Sequence, residues 1–309
     1  MSVEQHLRAQ VNQFLAPATD EAGDAAADDR PEGFPYEPPT PARVAEFFDR
    51  YNSMICGFFG GNMHQGYWDG PSDTSSMLKA SNRMTDVFID RLAGIGPGAR
   101  ILDLGCGTGR PAVRIARRTG AEVVGISISG RDVELAQAYA AGEDDAENVT
   151  FQQANALDLP FEPGSFDAIV AIDSFAYFAD RGELLARISP LLKPGGRIVL
   201  TDDVARGPEL TGQDEQDTLF MLACWRQAPL ARAEDYSGFA VAAGLELVEV
   251  TDITENTKNT LAHAYPLIRE RTDLWFELDT IIKESTPADW EVEENPTDGV
   301  VLVVANRPA

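Results

Sequence analysis

Cysteine, histidine and basic residues are all scarce in this chain. Its 309 residues hold three cysteines, Cys56, Cys106 and Cys224, far apart and odd in number. That argues against a disulfide framework and for a reducing, cytoplasmic setting. Only 25 Lys and Arg stand against 50 Asp and Glu, a net charge of −25. Such a charge repels phosphate backbones and anionic headgroups, so nucleic acid and membrane surfaces are poor partners. There is no run of about 18 apolar residues, so no membrane span is expected. Met1 to Phe14 lack the basic start and apolar core of a secretory signal. No metal site is expected either. The length amply covers a sizeable core and fits one elaborated α/β domain.

Apolar residues at Val3, Leu7, Val11, Phe14 and Leu15 predict an amphipathic leader helix over 1–16. An acidic, Pro-rich linker follows over 17–40, too poor in apolar residues to fold alone. The leader helix therefore packs back, packs on a second copy to make a homo-oligomer, or floats. The main domain spans 41–309. It opens with a helix capped by Thr40, with Pro41 at its first position. A short aromatic stretch, Met63-His64-Gln65-Gly66-Tyr67-Trp68, and a helix over about 72–93 come next. Strands and helices then alternate: strands at 100–104, 122–128, 149–153, 166–172 and 197–201, with helices at 111–119, 131–141 and 181–192. Apolar strands separated by helices predict a parallel sheet covered on both faces. Helices at 208–227, 234–243 and 260–285 and strands at 245–250 and 300–305 complete the chain.

Residues 101–109 read Ile-Leu-Asp-Leu-Gly-Cys-Gly-Thr-Gly. An apolar strand runs into a glycine turn that lets the backbone approach a ligand closely, and the following helix N-terminus favours a negative group. Alone this is a weak signal shared with dinucleotide binders. Asp103 just before the turn suits a ligand with an ammonium beside its carboxylate, such as an amino acid.

Leu102 through Gly109 resembles the first motif of class I S-adenosylmethionine-dependent methyltransferases. Leu157-Asp158-Leu159-Pro160-Phe161 with Ser165-Phe166-Asp167, and Leu191-Leu192-Lys193-Pro194-Gly195-Gly196, resemble that family's later segments in order and spacing. Phe47-Phe48-Asp49-Arg50 through Trp68 is similar to the N-terminal region of small-molecule enzymes acting on tocopherols, sugars and sterols. The resemblance implies a Rossmann-like fold: a seven-stranded, mostly parallel sheet with an antiparallel last strand, an N-terminal helical cover and an acceptor lid over 205–233 and 255–290. It implies S-adenosylmethionine as cofactor, with Asp103, Gly105, Cys106, Gly107 and Gly109 at the methionyl end. Ser127, Ile128 and Asp132 would meet the ribose side, and Asn155, Ala156 and Leu157 the adenine. Tyr67 and Trp68 would close over the sulfonium. Asp173 ends the fourth strand on the cofactor side.

This chain departs from the family pattern at several points. Ser127 replaces an acid, and Asn155 stands where Asp is usual. Phe48 replaces a tyrosine whose hydroxyl Tyr51 would supply one turn later. Ala176 and Tyr177 occupy the positions of a histidine pair in sugar O-methyltransferases.

Methyl transfer from a sulfonium is an in-line displacement. Alignment and water exclusion supply about 7–11 kcal/mol, and a base, worth about 10²- to 10⁴-fold, is needed only for a poor nucleophile. The candidates are His64, Tyr177 and Asp202, each with packing or capping as the plain alternative. Aromatic residues Phe220, Trp225, Tyr265, Trp275 and Phe276 in the lid suit a small hydrophobic or aromatic acceptor. The expected function is methylation at O, N or C in bacterial secondary-metabolite biosynthesis. The alternatives are a cyclase that keeps its cofactor intact, and a cofactor-bound scaffold.

Overall fold

The computed structural model describes residues 36–92, 94–207, 215, 218–219, 222, 225–263 and 298–309. The leader helix, most of the linker, much of both lid segments, and His6, Phe220, Cys224, Tyr265, Trp275 and Phe276 lie outside the described residues. Among the described residues, no helix is long and apolar enough to cross a membrane.

Helix α1 (Pro41–Phe58) starts where the sequence places it: the Thr40 hydroxyl accepts from Arg43 N, and Pro41 sits in the first turn. Val44, Phe47, Tyr51 and Ile55 are buried at helical spacing. Helix α2 is shorter than expected, Met77–Arg91. The Asp73 carboxylate accepts from Asp69 N and Ser75 N, which builds a turn in front of it.

The sheet alternates with helices as expected: β1 (Arg100–Leu104), α3 (Arg110–Thr119), β2 (Glu122–Ser127), α4 (Gly130–Ala141), β3 (Val149–Gln153), β4 (Phe166–Ala171), α5 (Arg181–Ile188) and β5 (Leu192–Ala205). Helix α6 (Asp235–Ala242), strand β6 (Glu246–Asp252) and strand β7 (Asp298–Asn306) follow. The strand order is β3-β2-β1-β4-β5-β7-β6. The first five are parallel, and β7 runs antiparallel between β5 and β6. Order reverses between β1 and β4, which opens a crevice at the strands' carboxyl ends.

One face of the sheet packs on α2, α3 and α4 through Met84, Phe88, Ile115 and Ala136. The other packs on α5 and α6 through Leu184, Ile188, Tyr236 and Ala240. A third cluster, including Phe47, Tyr51, Trp68 and Met77, seats α1 on the chain below it.

Two further boundaries differ from expectation. Helix α5 stops at Ile188, and a 3-10 turn over Ser189–Leu191 follows, because Pro190 has no N–H to continue the helix. Strand β5 absorbs Lys193-Pro194-Gly195-Gly196, which the sequence presents as a turn. Gly195 N donates to Arg307 O and Arg307 N to Gly196 O, so the chain end beyond β7 extends the ladder.

The start of α5 is fixed to β5 by a buried ion pair. Arg181 Nε lies 3.1 Å from Asp202 Oδ2, with the side chains 2% and 0% exposed. The guanidinium also donates to Phe178 O and Pro229 O, and Tyr236 Oη donates to Asp202. Removing one partner strands the other charge in the core. Arg181→Met is expected to lower unfolding free energy by about 3–5 kcal/mol in urea titration, while the double change Arg181→Met/Asp202→Leu recovers much of it. A single-variant loss under about 1 kcal/mol would contradict a structural role for the pair.

Candidate active site

A cavity of about 260 Å³ lies at the switch between β1 and β4, under α1. Each wall is the end of a named element.

The first wall is the end of β1. Gly105 N and Cys106 N both donate to Ile126 O at 2.9 Å, folding the chain sharply back toward β2. This needs positive φ, +85° at Gly105 and +48° at Gly107. A Cβ at Gly105 would meet Ser174 Cβ at 2.6 Å. Asp103 is 2% exposed, and its Oδ2 has no hydrogen-bond partner. Burial pushes its carboxyl up to about 7. An unpartnered buried carboxylate beside an open glycine turn fits the ammonium end of the methionyl group.

The second wall joins β2, α4 and α1. The Asp132 carboxylate accepts from Ser127 Oγ at 2.8 Å and from Asn52 Nδ2. The Ser127 hydroxyl also accepts from Ser129 N at 3.1 Å, and Asn52 Oδ1 accepts from Cys56 Sγ. Burial pushes Asp132 up to about 6, opposed by the Ser127 and Ser129 hydrogen bonds. The Ser127 hydroxyl, expected to face a ribose, already has partners on both sides. On the third wall Asn155 Oδ1 accepts from Leu157 N at 3.0 Å, leaving its NH₂ as the free end.

The fourth wall follows β4. Asp173 takes φ +50° and accepts from Thr201 Oγ1 at 2.6 Å and Gln65 N at 2.7 Å. Tyr177 stands on a 3-10 turn, edge-on to Phe48 at 5.1 Å between centroids. Burial, reinforced by Asp203, Asp173 and Asp132, pushes its phenol well above 10. That leaves it a hydrogen-bond donor and unsuited as a base.

His64 enters from the loop before α2. It is 4% exposed. Its Nδ1 lies 2.8 Å from Gln65 O, and Nε2 has no partner. A carbonyl only accepts, so Nδ1 carries the proton and Nε2 keeps its lone pair. Burial lowers the imidazole pKa and so favours the neutral ring at pH 7, while Asp173 and the hydrogen bond to Gln65 O oppose it.

His64, Asp103, Gly105, Cys106, Gly107 and Tyr177 thus share one cavity with Ser127, Ile128, Asp132, Asn155, Ala156, Leu157 and Asp173. Five other candidates stand elsewhere. Asp202 faces Arg181 and Tyr236 in the core. Tyr51 packs against Phe47. Tyr67 lies under Arg83. Trp68 donates to Ser75 O and stacks on His263 at 5.2 Å. Gly109 meets Phe151 and Ala136, where a Cβ would lie 2.6 and 2.8 Å away. Sequence reasoning missed the apolar mouth, Pro39, Pro41, Val44, Met63 and Phe178. Only the apolar side of α1 hinted at it.

Comparison with known proteins agrees with the fold and identifies the family. The family described as "Methyltransferase domain" matches residues 95–263. "Methyltransferase GfsG" of Streptomyces halstedii is 32% identical over 271 residues, covering 86% of this chain and 94% of that protein. "27-O-demethylrifamycin SV methyltransferase" of Amycolatopsis mediterranei is 32% identical over 286 residues, covering 87% and 98%. Among solved structures, the [4+2]-cyclase SpnF superposes with a TM-score of 0.71 at 24% identity, covering 90% of this chain and 99% of that one.

The buried Asp103 gives the site a pH signature. Its folded pKa lies above the ordinary carboxylate value, so ionising it costs native stability as pH rises between the two, and a bound ammonium offsets that cost. Affinity for S-adenosylhomocysteine is expected to fall roughly tenfold between pH 8 and pH 6 in calorimetric titrations. Asp103→Asn should bind more weakly, with that dependence flattened. Unchanged affinity in this variant would remove Asp103 from the cofactor site.

Proposed function

The chain belongs to the S-adenosylmethionine-dependent methyltransferases, and from that premise we propose that it methylates a hydroxyl oxygen of an uncharged, largely apolar small molecule in secondary-metabolite biosynthesis. The observation that carries this reading is His64: a buried neutral imidazole, Nδ1–H engaged, with an unpartnered Nε2 on the cavity wall. A neutral alcohol is a poor nucleophile and gains most from a base.

The cofactor supplies an activated methyl group on a sulfonium. Asp103 binds its ammonium end, with Gly105, Cys106 and Gly107 offering backbone beside it. Asp132 and Ser127, already bonded to each other, would form the ribose side with Ile128 beside them, and Asn155, Ala156 and Leu157 the adenine side. His64 would hold the acceptor hydroxyl and take its proton at Nε2. Tyr177 donates a hydrogen bond that orients the acceptor, and Asp173 holds the loop carrying His64.

The acceptor's chemistry follows from the mouth. Pro39, Pro41, Val44, Phe48 and Phe178 present apolar surface, and among the described residues no Lys or Arg lines the cavity, while Asp180 and Glu183 stand at its edge. A phosphate-bearing acceptor finds no counter-charge among those residues. The relatives' names fit: one acts on a demethylrifamycin, and "O-methyltransferase cnsE" of Penicillium expansum is named for transfer to oxygen. The segments 205–233 and 255–290 cover the acceptor on this reading. Leu222 packs with Tyr36, and Ala228 N donates to Ala176 O beside Tyr177.

The test is transfer from methyl-labelled S-adenosylmethionine to a panel of neutral macrocyclic and terpenoid alcohols, amines and prenyl diphosphates, and to the producing organism's small-molecule extract, read by mass spectrometry. Label on an alcohol is expected. Label only on a diphosphate or amine would overturn the acceptor class. A product rearranged without label, with the cofactor intact, would replace methyl transfer by cyclisation. His64→Gln should lower turnover by about 10²- to 10⁴-fold while S-adenosylhomocysteine affinity stays within about twofold.

A further inference from the structure

We propose that Gln65 is a positioning residue: pinned at three points, it fixes the tautomer and direction of the His64 ring and couples both to the chain that covers the cavity. The consequence for turnover rests on His64 acting as base; the pinning itself is independent of that reading.

The three pins are on different groups. The peptide joining His64 to Gln65 is held by Gln65 N–H donating to Asp173 Oδ2 at 2.7 Å. The next peptide, whose carbonyl receives the His64 Nδ1 proton, is held by Gly66 N–H donating to Thr260 Oγ1 at 3.1 Å. Thr260 is 3% exposed. The Gln65 side chain donates from Nε2 to Asp203 Oδ1 at 3.1 Å. Gly66 has no room to swing: a Cβ there would meet Ala80 and Trp68 at 2.7 Å. The Gln65 carbonyl is therefore fixed in direction, and the ring that donates to it inherits that direction.

Asp203 extends the hold outward. Its Oδ2 accepts from Gln227 Nε2 at 2.8 Å, and Gln227 O accepts from Tyr36 Oη at 2.9 Å. Tyr36 is buried against Leu222 just before α1. A hydrogen-bonded line thus runs from the N-terminal cover, through the segment before α6, to the imidazole. The charged and titratable groups facing it are Asp173 toward His64, and Asp173, Asp202 and Asp298 toward Asp203. Burial and these neighbours push Asp203 up to about 8, opposed by the Gln227 amide. Its neighbour Asp202 acts on it only through its charge, since its own hydrogen bonds go to Arg181 and Tyr236.

The measurement is the nitrogen NMR spectrum of the histidine rings in the full chain, with and without S-adenosylhomocysteine. Three histidines make assignment by substitution direct. In the unaltered protein at pH 7.5, His64 should be one tautomer, Nδ1 protonated and Nε2 bare. Gln65→Met and Thr260→Val each remove one pin, and Asp203→Asn weakens the first from the other side. Losing a hydrogen bond of about 1 kcal/mol should raise the minor tautomer about fivefold. A wild-type ring protonated at Nε2 overturns the inference. So do His64 signals unchanged in every variant that still binds S-adenosylhomocysteine; three variants guard against one failing to fold. Mixed tautomers with full turnover in His64→Gln would sink the base reading alone. Unchanged tautomers with turnover lost in His64→Gln would sink the positioning alone.

Discussion

The cavity exists because one buried carboxylate ties α1 to the sheet. Asp132, in the first turn of α4, receives Asn52 from α1 and Ser127 from the end of β2. Next to it Asp49 of α1 accepts from Ser129 Oγ at 2.6 Å and from Arg131 N at 3.0 Å. Charge-assisted bonds of this kind are roughly twice as strong as neutral ones. They hold the helix that presents Val44 and Phe48 over the strand ends, so without them the crevice would be an open groove. The tie also accounts for the missing acid at the end of β2. The carboxylate comes instead from α4, where it binds the cover to the end of β2.

Acidity means something different here from what the whole-chain charge suggests. Asp103, Asp132, Asp173 and Asp203 gather at the carboxyl ends of the strands, and three of them are pushed up chiefly by burial, with Asp49 adding to it at Asp132 and Asp173, Asp202 and Asp298 at Asp203. A site that crowds negative charge in low dielectric is costly until a cation enters. An ammonium and a sulfonium on one ligand are well matched to that cost. The chain's −25 is thus continued into its functional centre, and it sets the sign of what the site admits.

Much of this was legible in the sequence. The run from Ile101 to Gly109 was legible as a strand, a glycine turn and a carboxylate suited to an ammonium, because glycine takes positive φ most readily; that Asp103 Oδ2 has no protein partner came from the structure. Other assignments turned on orientation, which sequence carries poorly. Asp202 and Asp203 are adjacent on a strand and point to opposite faces: one joins Arg181 in the core, the other reaches Gln65. In Met63 through Trp68, the aromatic residues looked like the ligand contacts. The structure turns Trp68 away to stack on His263 and gives the cavity to Met63 and His64. Ser127 was legible as a polar contact, but its partners were not: Asp132 and Ser129 follow it closely in sequence, and only the turn from β2 into α4 aims them back at its hydroxyl.

The stretch between β6 and β7 leaves and re-enters the sheet at stitched points. Ile253 N donates to Val300 O at 2.8 Å, and Val300 N to Thr254 Oγ1 at 3.0 Å. Whatever lies between is closed by the framework itself, so doubling its length would add only about 0.6 kcal/mol of closure entropy. The fold is in that respect a socket with an interchangeable part. A longer or shorter connection between the two stitches thus leaves the pairing of β6 with β7 untouched.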